Sequence, residues 1–282
     1  MLFLTCITFN ILAQPIDSLR TALLSANQEK KIDLLNEMSE AFLRINLDST
    51  EFYLHRALEL GSQLGDTGGK AKALWLLGKT SIYKGNFDAA LNYFYEAKDL
   101  FLSISDDIGV AKAMDDAGYC LTIKEEFERA LCLFDSALTF AQNNADTTLM
   151  IRIQLNLASV YLYKGNHNDA LAIYLQAYDL ALKTHNIQYQ INASLDLGNF
   201  YSVREDLEKS LEYFLQASEL IETQNGKPTQ LHYCYNSIGS IYIKKEDPAK
   251  ALEFGLKALN ISKQIHLKAG LMENYNVLAQ AY

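Results

Sequence analysis

The 282-residue sequence has only three prolines and no serine- or glycine-rich run, so nothing in it marks a linker between separate domains. Cysteine is equally sparse. With Cys6 set aside in the leader-like N-terminal stretch, Cys120, Cys132 and Cys234 are an odd number without close spacing, which excludes a disulfide framework and a zinc site and leaves them as small hydrophobes within helices. There is no block of basic residues, and a formal net charge of −9 makes the chain a poor partner for a nucleic-acid backbone. No apolar run is long enough to span a bilayer as a helix. The five histidines, His55, His167, His185, His232 and His266, form neither an i, i+4 pair nor an HExxH arrangement, and no phosphate-binding loop or GxSxG elbow occurs. Paired carboxylates stand at Asp106-Asp107 and Asp115-Asp116, but no base or metal ligand accompanies them, so they read as a loop cap and a solvated helix face. The sequence therefore predicts no catalytic residue, no cofactor and no metal.

What the chain does contain is periodicity. The stretch Asn156 to Ala177 reads as two short helices joined by a Lys-Gly-Asn turn, with Leu157, Ala158 and Tyr161 on one face of the first and Ala170, Tyr174 and Ala177 on one face of the second. Antiparallel helices approach closely where facing residues are small, here Ala158 against Ala170, with the rings of Tyr161 and Tyr174 filling the space beside them. The small residue of the first helix recurs as Gly78, Gly118, Ala158, Gly198, Gly239 and Ala279, in steps of 40 or 41 residues. Second-helix positions keep the same step: Ala90, Phe94 and Ala97 match Ala130, Phe134 and Ala137, then Ser210, Phe214 and Ala217, then Ala251 and Ala258. In the last of these the ring has moved to Phe254 and Gly255 takes its slot, which predicts weaker packing there.

These offsets fit W-x2-L-G-x2-Y followed by A-x3-F and a third small residue, and from about residue 31 onward the chain resembles tetratricopeptide repeat proteins. The resemblance is to the exported bacterial type with forty-residue units, which often forms the sensory N-terminal part of histidine kinases or transcriptional regulators. It implies an all-α fold, a right-handed solenoid of antiparallel helix pairs. The implied organisation is an N-terminal helix at 15–30, a degenerate unit at 31–69, five units at 70–269 and, at 270–282, the first helix of a further unit. Gly65 to Gly69, Ser105 to Gly109, Asn143 to Asp146 and Asn225 to Pro228 read as loops that absorb the extra length of each unit. Gly68-Gly69 is a loop pair, and Asp48 to Glu51 resembles a capping box. Ala279 stands where a second helix would pack, which predicts that the chain continues beyond Tyr282.

Residues 1–13, MLFLTCITFNILA, resemble the apolar region of a secretory signal peptide with Ala13 before the cleavage point, and so predict an exported, periplasmic protein. The alternative for these residues is a buried first helix in a cytoplasmic protein. Membrane contact is expected only through a segment downstream of the sequence.

In tetratricopeptide arrays the first helix of each unit lines a concave groove. Carried over by register, the groove residues include Lys72, Trp75, Lys79 and Tyr83 in one unit, Lys112 and Tyr119 in the next, and Arg152 and Tyr163 in the third. Asn192 and Asn199, then Asn236, then Asn276 follow. The resemblance thus implies a protein- or peptide-binding module. Cations beside rings favour an acidic ligand, and the asparagines can hold an extended backbone. The Lys/Asn clamp with which some members seize a terminal carboxylate is not matched, because Asn36 and Glu40 occupy its slots. A scaffold or oligomerisation protein without a groove ligand is the alternative.

Overall fold

The computed structural model describes residues 16–43, 45–224 and 226–281, so the signal-like segment, Cys6 and Tyr282 lie outside the described residues. Every regular element among the described residues is a helix. The chain divides into two compact units, residues 1–146 and 147–282.

In the first unit a short helix α1 covers residues 16–25, followed by α2 (Gln28–Phe42), α3 (Leu47–Leu64), α4 (Thr67–Tyr83), α5 (Phe87–Ser103), α6 (Asp107–Ile123) and α7 (Phe127–Asn143). The second unit holds α8 (Thr147–Tyr163), α9 (His167–Lys183), α10 (Ile187–Val203), α11 (Leu207–Thr223), α12 (Pro228–Lys244), α13 (Pro248–Gln264) and α14 (Lys268–Ala281). Within each unit, consecutive helices pack as pairs and the pairs stack in series. This is the all-α, solenoid-type arrangement expected from the repeat.

The forty-residue step is carried by the helices. Each of α4 to α13 has 17 residues. From α4 onward the connections are of three residues, save the slightly longer link before Pro228 that produces the single step of 41. The expectation of long inter-unit loops is corrected here. Two of the runs that read as loops, Gly65 to Gly69 and Ser105 to Gly109, are largely the caps and first turns of helices, where Asp and Gly serve a different purpose. Asp66 and Asp106 are N-caps whose carboxylates accept from the N–H of Gly69 and Gly109, each at 2.9 Å. Gly68 and Gly69 lie inside α4 and do not form a loop. A Cβ on Gly69 would stand 2.4 Å from Ile32, so the close approach of α2 demands glycine. The capping box expected at Asp48 is displaced likewise: Asn46 caps α3 by accepting from Ser49 N–H at 2.9 Å, and Asp48 lies in the first turn.

Most of the short connections place one residue in the left-handed region. Glycine supplies it at Gly65, Gly85 and Gly165, whereas Ser105, Glu125, Ala145, His185, Glu205, Glu246 and His266 adopt positive φ with a side chain in place.

The core of each pair is a ring over a small residue. A Cβ on Gly78 would stand 2.4 Å from Phe94, and one on Gly118 would stand 2.7 Å from Phe134, so the small position admits the aromatic ring as much as the facing alanine. All three phenylalanines of this slot, Phe94, Phe134 and Phe214, are fully buried. Where the register brings Ala158, the ring is Tyr174, whose hydroxyl is bonded to Ser159 Oγ at 2.9 Å. Weaker packing at Gly255 is also corrected. Val277 and Leu278 of α14 reach into the space of the missing ring, and the displaced Phe254 stacks on Tyr242 at 5.8 Å. Cys120 and Cys234 are buried as expected, but Cys132 is exposed.

A buried polar chain fixes α14 to its neighbours: His232 Nε2 lies 3.2 Å from Asn274 Oδ1, and Asn274 Nδ2 donates to Ser262 Oγ at 2.8 Å. Asn274→Ala leaves two buried polar groups without a partner. Thermal melts should show a loss of roughly 1–3 kcal/mol, and hydrogen exchange should rise mainly in α14. A variant with unchanged stability would mean that water replaces the amide.

Candidate functional site

The first helices of successive pairs, α2, α4 and α6 in the first unit, present one polar face built by i, i+3 and i+4 neighbours. Trp75 is its centre. Its Nε1–H donates to Asp116 Oδ2 at 2.7 Å, joining α4 to α6, and Lys79 Nζ sits 4.5 Å from the ring centroid. On the other side Lys72 Nζ pairs with Glu40 Oε1 of α2 at 3.1 Å. Lys72, Trp75 and Lys112 line a cleft of about 400 Å³ together with Gly68, Asp106 and Ile108. Tyr83 and Tyr119 are exposed towards the C-terminal ends of α4 and α6, one turn beyond Lys79 and two turns beyond Lys112 respectively. The solvated face expected for Asp115-Asp116 does not exist: Asp115 is fully buried and Asp116 is held by the indole. The clamp slots are occupied by structural groups, since Asn36 Nδ2 donates to the Gly69 carbonyl at 3.1 Å and Glu40 belongs to Lys72.

Trp75 is the sole tryptophan, so intrinsic fluorescence reports on this face. Asp116→Ala removes the acceptor of the indole N–H. The emission maximum should shift and stability should fall by about 1–2 kcal/mol; an unchanged spectrum would place the indole elsewhere.

In the second unit the corresponding face comes from α8, α10, α12 and α14. Arg152 and Tyr163 lie towards opposite ends of α8, Arg152 partly buried and Tyr163 widely exposed. The asparagines do not form a free row. Asn192 Oδ1 accepts from Gln188 Nε2 at 3.1 Å and from Gln230 Nε2 at 2.9 Å, and Asn199 Oδ1 accepts from the Tyr233 hydroxyl at 2.6 Å. These bonds tie α10 to α12 and leave the amide N–H groups as the side available to a ligand. Asn236 is the reverse case, with an Oδ1 that is buried and has no hydrogen-bond partner. Asn276 is exposed on α14.

One residue of this face was absent from the sequence-derived set. Asp196 occupies the position after Leu195 on α10, the same register as Asp116 on α6. It keeps some contact with solvent, yet the protein packed around it pushes its carboxyl from 3.8 up to about 7, with burial as the cause. Its negative charge is felt by two hydroxyls. Tyr174 of α9 and Tyr233 of α12 are raised above the usual phenol range, first by burial and then by Asp196 among other influences. The available signal was a column of Asp116, Asn156, Asp196 and Ser237 in the repeat register, polar side chains beside the positions assigned to the groove.

Among the described residues no group of three or more His, Cys, Asp or Glu side chains could hold a metal ion, and no helix is long and apolar enough to cross a membrane. The stacked helix pairs, each closed by a ring over a small residue, define a helical-repeat scaffold. The chain belongs to the tetratricopeptide repeat family: models described as tetratricopeptide repeat match residues 71–101, 149–223 and 189–264. No curated protein matches the sequence. Among solved structures, the apo form of RapI superposes with a TM-score of 0.71 at 14% identity, over 90% of this chain and 93% of that one. A Rap protein complexed with Competence and Sporulation Factor gives 0.67 at 14% identity, over 96% and 85%. A signal-transduction ATPase with a tetratricopeptide repeat sensor, from Pyrococcus horikoshii, gives 0.67 at 18% identity, over 96% of this chain and 42% of that one. At these identities the likeness is one of fold.

Proposed function

We propose that this chain is a protein-interaction module that binds a peptide or an extended segment of a partner on the faces formed by its first helices. The observation that carries the reading is the set of half-exposed polar and aromatic side chains, Lys72, Trp75, Lys79 and Lys112 in one unit and Asn192, Asn199 and Tyr233 in the other. Helical-repeat scaffolds bind on such surfaces. The Rap protein with Competence and Sporulation Factor, and a Rap regulator in complex with the Phr* peptide, support it as relatives in fold. In the first unit Lys72 and Lys112 share one cleft with Trp75, and Lys112 makes no ion pair among the described residues, which favours an acidic side chain there. Reversing Lys72, Lys79 and Lys112 to glutamate should abolish binding of acidic peptides selected against the chain, with the helical circular dichroism unchanged. Undiminished binding by calorimetry would remove this face from the site.

The exported location and the role as input region of a signalling protein belong to the same proposal, supported by the apolar residues 1–13 and by the sensor named in the archaeal ATPase. Mass spectrometry of the protein secreted from its own leader should show cleavage after Ala13. An intact N-terminus in the cytoplasm would refute export.

A scaffold role has its own observation. Leu175, Leu215 and Leu256 occupy one register position on α9, α11 and α13 and are each exposed. Light scattering that shows assembly with rising concentration, and its loss in a triple serine variant, would favour that reading.

A further inference from the structure

Asp196 stands out as a carboxylate without a counter-charge. Among the described residues it makes no hydrogen bond or ion pair, and no lysine, arginine or histidine contributes to its ionisation, which burial alone disfavours. The groups that face it are neutral. α9 supplies the Tyr174 hydroxyl, which is bonded to Ser159 of α8, and α12 supplies the Tyr233 hydroxyl, which already donates to Asn199. One turn beyond Tyr233 on the same face of α12, Asn236 holds an acceptor oxygen that is buried and has no partner. Asp196 is only partly buried, so its carboxylate can be reached from solvent while the protein supplies it no donor. A donor with positive charge would satisfy it.

We propose that the face of α8, α10 and α12 carries a subsite for a basic side chain, a lysine or arginine of the bound peptide, with Asp196 as its counter-ion. The choice of an organic cation over a metal follows from the donor set, a single carboxylate among amides and phenols, which offers too few hard anionic ligands. The apolar stem of the basic side chain would lie along the Tyr233 ring, and its N–H groups would reach Asp196. The amide N–H groups of Asn192 and Asn199 stand on the same face of α10 and would take the carbonyls of the peptide backbone. This inference rests on the peptide-binding reading and assigns it a charge preference in the second unit that differs from that of the lysine-lined cleft in the first.

The test is selection of a random heptapeptide phage library on the full chain, then on Asp196→Asn. On the parent protein, lysine or arginine should dominate one position of the recovered peptides, and that enrichment should vanish on the variant. A synthetic peptide of the consensus should bind Asp196→Asn about 10- to 100-fold more weakly, and show the same loss when its basic residue is replaced by citrulline or norleucine. Asp196→Ser, checked with Asp196→Asn by melting and circular dichroism, guards against a folding artefact of one substitution. Peptides recovered without a basic position, or a basic preference that survives both substitutions, overturn the subsite while leaving peptide binding intact. Failure to recover any peptide on the parent overturns both.

Discussion

Gly118→Leu is expected to destabilise the first unit by roughly 1–3 kcal/mol, and Phe134→Ala by about 3–5 kcal/mol. The reason is the same contact seen from its two sides. Phe134 is fully buried and its ring lies where a Cβ on Gly118 would have to go, 2.7 Å away. Leucine gains helix propensity over glycine, worth up to about 1 kcal/mol, which opposes the clash without cancelling it. Combining the two changes supplies the discriminating measurement. If ring and glycine occupy one space, Gly118→Leu with Phe134→Ala should lose distinctly less than the sum of the single variants, a coupling readable from denaturant melts. Additive losses would show that the leucine side chain escapes past the ring. Because repeats couple mainly to their neighbours, the damage should stay near α6 and α7 in hydrogen exchange.

Asp196→Asn is expected to stabilise the protein at pH 8 and to leave it unchanged near pH 4. The folded-state carboxyl titrates at about 7 against 3.8 in the unfolded chain, so ionisation opposes folding. The favourable contribution of this group is fully present below about pH 3.8 and is lost as pH rises through about 7. A shift of that size corresponds to roughly 4 kcal/mol. Contact of Asp196 with water at the groove lowers the expected gain to about 1–3 kcal/mol. Tyr174 and Tyr233, the ionisable groups next to it, are held above the phenol range and stay neutral across this window. The difference between variant and parent melts as a function of pH isolates the effect from every other titration. A flat difference would mean that Asp196 is solvated or paired in solution. Such a gain at high pH would mark the residue as one held at a cost in stability, the usual condition of a group kept for binding.

Much of the fold was legible because it is repeated. A ring such as Phe94 over Gly78 recurs as Phe134 over Gly118 and Phe214 over Gly198, and a fixed step of forty residues leaves little freedom in pairing helices. Local chemistry was read less well where one residue type serves two purposes. Asp-x-x-Gly signals a turn, but the same residues form an N-cap and a first helical turn. The glycine at Gly69 or Gly109 was required by a side chain of another helix, Ile32 or Phe101, which no local pattern reveals.

The candidate site divides along the same line. The sequence by itself determined which residues share a face, because helical periodicity and the repeat register assign Lys72, Trp75, Lys112, Asn192 and Asn199 to the first helices. Only the tertiary structure decided what those side chains are free to do. It gave Lys72 to Glu40 and the indole of Trp75 to Asp116, and committed the oxygens of Asn192 and Asn199 to neighbouring helices. It also left Asp196 without a counter-charge. The physical reason is that pairing and desolvation depend on which helix stands opposite and how closely, quantities set by packing between units of the repeat and not by order along the chain.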